Sequence, residues 1–203
     1  MLSVLNKNHL IQRFQFLQTV DYHQEALKRV SHFKAESLRP ASVLIGFVER
    51  DNGLHVLFTK RAAHLKHHPG QVSFPGGKYE TSDGTLAQTA LRETQEEIGI
   101  DPKRIAIFGQ MPELVTVSRF TVTPFLAFIE PDYAPRIDTN EVAEVFEVPL
   151  NLVLDRSKLV SQHFLVNQNR HRVFGLSYQH HFIWGMTAQI IQALQKHLSL
   201  PRR

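Results

Sequence analysis

One segment, running from Gly77 to Ile100, constrains the fold of this chain more than any other. It reads GKYETSDGTLAQTALRETQEEIGI, a glycine-containing loop followed by a stretch with the periodicity of an amphipathic helix. Ser82 or Asp83 is the predicted N-cap, and Gly99 suits the position after the helix, where a left-handed conformation costs glycine little. The apolar face carries Ala87, Ala90, Leu91, Thr94 and Ile98. The segment therefore predicts one helix packed against a core, with the loop at its start.

The neighbouring face of this helix is acidic. With Arg92 at zero and about 100° per residue, Glu96, Glu93 and Glu97 fall near 40°, 100° and 140°. Carboxylates three and four residues apart repel one another on a helix. A bound cation would explain why these three glutamates nevertheless lie together. Hard divalent cations take oxygen ligands and often bridge carboxylates to substrate phosphates. We predict Glu93, Glu96 and Glu97 as metal ligands, and a solvated acidic face is the alternative.

The second half of the segment resembles the Nudix box, a family motif of general form GX5EX7REUXEEXGU in which U is apolar. RETQEEIGI, from Arg92 to Ile100, follows this pattern with Thr94 at the apolar position. In the first half, Asp83 stands where the motif has glutamate, and one extra residue precedes Arg92. An acidic loop of this length resembles the branch of the family formed by coenzyme A pyrophosphatases.

The preceding segment resembles the same branch. LFTKRAAHLKHHPGQVSFPGG, from Leu57 to Gly77, is similar to the family element LLTXR(S/A)X3RX3GX3FPGG, with Lys66 in place of its second arginine. Arg61 and Lys66 are candidates to hold the substrate's phosphates, although a solvated cation is the alternative for each. The glycines let the backbone approach a metal and a phosphate without a Cβ clash. The predicted substrate-binding residues are Arg61, Lys66, Gly70, Phe74, Gly76 and Gly77.

The resemblance implies attack of water on a diphosphate, with Mg²⁺ or Mn²⁺ required. Glu93 and Glu97 can reach one metal, and Glu96 can reach the same metal or a second one. Arg92 cannot be a ligand because it has no free lone pair; family analogy has it orient Glu93, and binding of phosphate is its competing role. The general base is expected at Glu141, with Glu144 as the alternative. The predicted catalytic residues are Arg92, Glu93, Glu97 and Glu141.

The leading hypothesis for the activity is hydrolysis of coenzyme A, including acyl or oxidised forms, to 3′,5′-ADP and 4′-phosphopantetheine. A Nudix hydrolase of ADP-ribose, NADH or nucleoside triphosphates is the alternative among enzymes. A non-catalytic Nudix-fold ligand-sensing module is the alternative of a different class, and retention of Arg92 and the three glutamates argues against it.

Composition limits the other functions open to the chain. Its 203 residues suffice for one domain with a hydrophobic core, and it has no cysteine, which excludes disulfides and thiolate catalysis. The net charge of +4 favours anionic small molecules. No run of basic residues indicates nucleic acid, and no apolar run indicates a membrane span. We expect a cytoplasmic protein with a small-molecule diphosphate as its partner, and a homodimer is left open.

The twelve histidines include the adjacent pairs His67-His68 and His180-His181. A transition-metal site is one interpretation of such pairs. Adjacent side chains point in different directions on regular secondary structure, so surface exposure or core packing is preferred.

The rest of the chain alternates between helical and strand-like stretches. Residues 1–36 are predicted to form one or two helices, an extension that packs on the Nudix domain predicted for residues 37–203. Asn52-Gly53 predicts a hairpin turn, Pro124 a bent or edge strand, and Asn167 to Asn169 a second hairpin. Predicted strands cover 41–48, 55–60, 105–108, 122–129, 144–149, 158–166 and 171–177, with helices over 150–154 and 185–198.

Strands mixed with a few helices, without repeats, predict an α/β fold built as an α/β/α sandwich. The resemblance implies the same architecture, a Nudix-type α/β/α sandwich with a mixed sheet and an N-terminal helical extension.

Overall fold

The computed structural model describes residues 5–16, 20–166 and 169–198. Its helices are α1 (Lys7–Phe16), α2 (Gln24–Val30), α3 (Leu86–Ile98), α4 (Leu150–Val153) and α5 (Gly185–Leu198). Its strands are β1 (Arg39–Arg50), β2 (Gly53–Arg61), β3 (Val72–Ser73), β4 (Gly76–Lys78), β5 (Ile105–Gln110), β6 (Leu114–Val115), β7 (Phe120–Ile129), β8 (Val142–Pro149), β9 (Leu159–Val166), β10 (Asn169–Tyr178) and β11 (His181–Trp184). The predicted turn at Asn167 and Gln168 lies outside the described residues.

The main sheet is mixed and has the order β3-β2-β1-β7-β5, with β4 paired to β1, β6 to β7 and β8 to β2. The predicted hairpin joins β1 to β2 antiparallel, with Arg50 opposite Gly53. β1 pairs with β7 in parallel from Arg39↔Phe120 to Val48↔Ile129. The long crossover between these parallel partners contains β2 to β6 and α3, so the loop–helix segment is held against the middle of the sheet.

Pro124 lies inside the sheet, so the predicted edge position is wrong. β7 has β1 on one side and β5 and β6 on the other. The carbonyl of Pro124 accepts the N–H of Met111, which places its missing N–H on the same side of the strand. There the ladder is interrupted between Gln110, the end of β5, and Leu114, the start of β6. Because β5 has ended and β6 has not begun at that gap, no ladder hydrogen bond requires the N–H that proline lacks.

Both faces of the main sheet are covered, which explains the unbroken apolar run of β1. Leu44 and Val48 face α3 and pack with its Ala90 and Ile98. The intervening Ile45 and Phe47 face a larger core on the opposite side. A strand buried on both faces loses the polar alternation of a half-exposed strand. The observed α/β fold with a mixed sheet between helices confirms the predicted class.

A second, antiparallel sheet of order β11-β10-β9 closes the larger core together with α1 and α5. α5 begins and ends where it was predicted, and its Ile190, Ile191, Leu194 and Leu198 are buried. The N-terminal residues form two short helices, and Leu10 and Phe14 of α1 join the same core. The boundary between residues 36 and 37 stays a prediction. Within the described residues, no helix is both long and apolar enough to cross a membrane.

Candidate active site

The helix that carries the carboxylates begins later than predicted. Thr85 is the N-cap of α3, and its side chain accepts the N–H of Gln88 at 3.2 Å. The predictions of Ser82 and Asp83 are wrong because a separate turn of 3₁₀ helix, Thr81–Asp83, precedes Gly84. Gly84 has φ +72°, a left-handed conformation that ends this turn before α3 starts. Gly99 has the left-handed C-cap conformation that was predicted.

Glu93 and Glu97 lie against the backbone of the glycine strand β4. A Cβ at Gly77 would collide with the carboxylate of Glu93, and the N–H of Gly76 hydrogen bonds to Glu97. Glu97 is only 4% exposed, and its Oε2 has no hydrogen-bond partner in the part of the chain that the structure describes. An unpartnered buried carboxylate oxygen is costly. This oxygen is therefore a ready ligand for a cation.

The pKa values of both carboxyls are raised. Burial is the main cause for Glu97, and with the charge of Glu93 it raises the pKa of Glu97 to about 8. Burial also raises the pKa of Glu93, although the ion pair with Arg92 opposes the shift. Two neighbouring carboxylates that are both destabilised as anions fit a site that gains a divalent cation. The donor set consists of oxygen atoms, as Mg²⁺ and Mn²⁺ prefer.

Arg92 is engaged entirely by protein oxygens. Its Nε donates to Asp83 Oδ1 at 2.6 Å, and its Nη2 donates to Asp83 Oδ2 at 3.1 Å and to the Lys78 carbonyl at 3.0 Å. Its Nη1 contacts Glu96 Oε2 at 2.7 Å and Glu93 Oε1 at 3.1 Å. These contacts use all of the guanidinium's N–H donors. The geometry favours orientation of Glu93 over the competing role of binding phosphate.

Asp83 anchors Arg92 and the 3₁₀ turn, and it therefore has a structural role other than the N-cap predicted for it. It is 7% exposed and accepts bonds from the N–H of Glu80 and the hydroxyl of Thr89, each at 2.8 Å, besides Arg92. The Arg92 guanidinium holds the pKa of the Asp83 carboxyl well below its usual range. Glu80 and Asp83 form a reciprocal capping box around the 3₁₀ turn. In the sequence, the spacing between Glu80 and Asp83 was the feature that could have indicated this capping box.

Arg61 and Glu141 lie close enough to Glu97 to change its pKa, which Arg61 lowers and Glu141 raises. Strand pairing brings them there, since Arg61 is opposite Val142 and the N–H of Ala62 bonds to the Glu141 carbonyl at 2.8 Å. The buried Nε of Arg61 has no partner among the described residues. Five predicted site residues therefore converge: Arg61, Arg92, Glu93, Glu97 and Glu141.

Other predicted residues have different surroundings. The side chain of Glu96 is 59% exposed, and Arg92 holds one of its oxygens. Lys66 is exposed in the loop of residues 62–71, where Gly70 has φ +69°. Phe74 is 2% exposed and stacks on Phe58 at 4.9 Å in the core. Binding of metal by Glu96, and of substrate by the other three, stays a prediction.

Glu144, the alternative general base, faces away from these carboxylates. Side chains alternate along β8 from Glu144 onward, after an irregularity in register between Val142 and Glu144. Glu144 therefore lies on the face of Phe146, which stacks on Phe58 in the larger core. Val145, between them, packs with the α3 cluster. The structure therefore separates Glu144 from Glu141.

The loop–helix carboxylate site on a mixed sheet between helices has the architecture of a Nudix-type hydrolase domain. A family model described as NUDIX domain matches residues 38–168. The chain therefore belongs to the Nudix family, whose hydrolases act on small-molecule diphosphates and generally use divalent metals.

The relatives of this chain include two proteins that are each named uncharacterized Nudix hydrolase NudL. The one from Salmonella newport is 40% identical over 193 residues, spanning 95% of this chain and 94% of its own length. The one from Enterobacter sp. is 46% identical over 160 residues, spanning 77% and 81%. The NUDIX domain of Shewanella oneidensis NrtR, solved with ADP ribose, has a TM-score of 0.51 and 18% identity, covering 85% of this chain and 97% of that domain. This last similarity shows that the two chains share the same fold.

Proposed function

We propose that this protein is a metal-dependent diphosphatase that cleaves coenzyme A, and also its acyl or oxidised forms, to 3′,5′-ADP and 4′-phosphopantetheine. The main observation behind the proposal is the buried Glu97 beside Glu93 at the glycine strand, since one of its carboxylate oxygens has no hydrogen-bond partner among the described residues. Coenzyme A is favoured by the segment from Leu57 to Gly77, which resembles the coenzyme A branch. Membership of the Nudix family supports a Nudix pyrophosphohydrolase more generally.

Glu93 and Glu97 are the proposed ligands of Mg²⁺ or Mn²⁺, with Glu96 completing the set. When bound, the cation would neutralise phosphate charge and make water more acidic. Arg92 would hold Glu93 in a fixed rotamer, since its other donors are anchored on Asp83 and Lys78. Gly77 keeps the backbone close to the Glu93 carboxylate, with which a Cβ would collide, and a Cβ at Gly76 would collide with Ser42 and Val43 of β1.

Glu141 is the proposed general base, and Arg61 the proposed phosphate-binding residue. Glu141 is exposed, so it can exchange a proton with water. It is also within electrostatic reach of both Glu93 and Glu97. The buried Nε of Arg61 has no hydrogen-bond partner in the described part of the chain, and Arg61 is close enough to Glu97 to lower its pKa. A guanidinium donor in that position suits an oxygen of the substrate's diphosphate.

A substrate panel tests the proposal. Purified protein is incubated with coenzyme A, acetyl-coenzyme A, ADP-ribose, NADH and nucleoside triphosphates, with Mg²⁺ or Mn²⁺, and the products are separated by chromatography. We expect 3′,5′-ADP and 4′-phosphopantetheine from coenzyme A at the highest kcat/KM. Turnover of ADP-ribose with coenzyme A untouched would instead support the alternative hydrolase. Binding of a nucleotide without turnover of any substrate would support a sensing module.

Two further parts of the proposal rest on the sequence. The cytoplasm is the proposed location, and a homodimer is the proposed alternative to a monomer. Sedimentation velocity on the untagged chain measures the oligomeric state.

A further inference from the structure

A second cluster of potential ligands lies where the two sheets meet. Glu144 comes from β8, His180 from the turn between β10 and β11, and His181 from the first position of β11. Gln179 has φ +52° in this turn, and Tyr178 pairs with His181 across it. Adjacent histidine side chains diverge on regular secondary structure, whereas His180 is a turn residue. The two imidazole rings consequently lie side by side, with centroids 3.9 Å apart.

The donor atoms of the three residues have the spacing of a metal site. Glu144 Oε1 is 3.2 Å from His181 Nε2 and 3.8 Å from His180 Nε2. One ligand atom from each residue lies within 4.8 Å of the others. Ligands of a tetrahedral zinc ion, at bond lengths of about 2.0–2.1 Å, are roughly 3.3 Å apart. We propose that Glu144, His180 and His181 bind a divalent transition-metal ion of the zinc class, at a site separate from the carboxylates of α3.

The cluster combines one fixed ligand with two that can adjust. The side chain of His181 is 2% exposed and its ring stacks on Phe146 at 3.7 Å with an interplanar angle of 6°. Its Nδ1 is buried without a partner among the described residues. The side chains of His180 and Glu144 are 65% and 36% exposed, so an ion can enter from solvent.

Ligand chemistry and position distinguish this site from the catalytic one. Two imidazoles and one carboxylate suit zinc, copper or nickel, whereas oxygen-only sites suit magnesium and manganese. Glu144 projects from the sheet face opposite to that covered by α3, as the alternation along β8 requires. An ion bound here would tie the β10–β11 hairpin to β8 of the main sheet. Three protein ligands would leave one position for water.

Zinc binding by the untagged, chelator-treated protein tests the proposal. Isothermal titration calorimetry with Zn²⁺ is performed in excess Mg²⁺, and Co²⁺ absorption reports the coordination geometry. We expect one Zn²⁺ per chain and a zinc-dependent rise in melting temperature. His180→Ala should weaken binding by roughly tenfold or more and abolish the rise, because this exposed side chain can be removed without disturbing the core.

Two variants serve as matched controls. His67→Ala alters the other adjacent histidine pair, which is exposed and outside the cluster, and Glu97→Gln alters the α3 carboxylates. Both should bind Zn²⁺ as tightly as the wild type, while Glu144→Gln should resemble His180→Ala. Unchanged zinc affinity in His180→Ala, or a loss of the zinc site in His67→Ala or Glu97→Gln, would overturn the proposal.

Discussion

Glu97 is the residue at which burial and charge oppose each other most strongly. Its carboxyl is buried beside Glu93, and the Gly76 N–H and the nearby Arg61 compensate only in part. Such a position costs stability unless a ligand binds there. We therefore expect the residue to be retained for binding and not for folding.

Glu97→Gln separates these two roles. The amide keeps the volume and removes the charge, so turnover with Mg²⁺ should fall by roughly a hundredfold or more. The metal-free variant should melt no lower than the wild type at pH 8, since a buried charge that its neighbours compensate only in part is gone. Glu36→Gln, an exposed glutamate, should leave both kcat/KM and melting temperature unchanged. Near-normal turnover in Glu97→Gln would show that the metal lies elsewhere.

Asp83 should govern the acid limb of the stability profile. Its pKa is lowered from 3.8 in the folded state by Arg92, so its contribution is present above pH 3.8 and is lost as the pH falls towards the folded-state pKa. Asp83→Asn should therefore be less stable near neutral pH and should lose less stability on acidification. Denaturant unfolding at several pH values measures this. Asp51→Asn, at an exposed turn, is the control, and parallel acid limbs in Asp83→Asn and wild type would contradict the prediction.

At the scale of elements, β4 and α3 work as one unit because Gly77 lets the strand approach the carboxylate of Glu93, while Gly76 lets it approach β1. Gly77→Ala adds a Cβ where the Glu93 carboxylate now lies. The flexible end of Glu93 can move away, so the fold should persist while Mg²⁺ affinity falls by about tenfold. Calorimetric titration with Mg²⁺ measures the affinity, and circular dichroism checks the fold. Unchanged affinity would mean that the position of Glu93 does not matter.

Long, strongly patterned elements were predictable from the sequence, and short ones were not. α5 and the β1–β2 hairpin carry clear periodicity and turn signals. β3, β4, β6 and β11 have two to four residues each, too few for any period to be recognised. These short strands form because longer neighbouring strands have edges with backbone N–H and C=O groups left to pair. The start of α3 was missed for a similar reason, since a capped 3₁₀ turn imitates the start of an α-helix.

At the scale of the whole molecule, the N-terminal helix α1 shares the domain's core. Phe14 is 8% exposed and packs on Phe108 and His197. Phe14→Ala should lower the free energy of unfolding by about 3 kcal/mol. Phe16→Ala provides a control in the same helix, because Phe16 is 85% exposed and its loss should cost about 0.5 kcal/mol or less. Equal effects in chemical denaturation would mean that α1 does not contribute to the core.

The sequence by itself determined the fold class, the family resemblance and the acidic face of α3, because helical period and motif spacing are local properties of the chain. The tertiary structure decided which distant groups meet those carboxylates. Strand pairing brought Arg61 and Glu141 beside Glu97, while Phe74 went into the core. The same pairing placed Glu144 next to His180 and His181 on the opposite face. These contacts depend on the register between strands that are far apart in the sequence, and no local sequence pattern encodes that register.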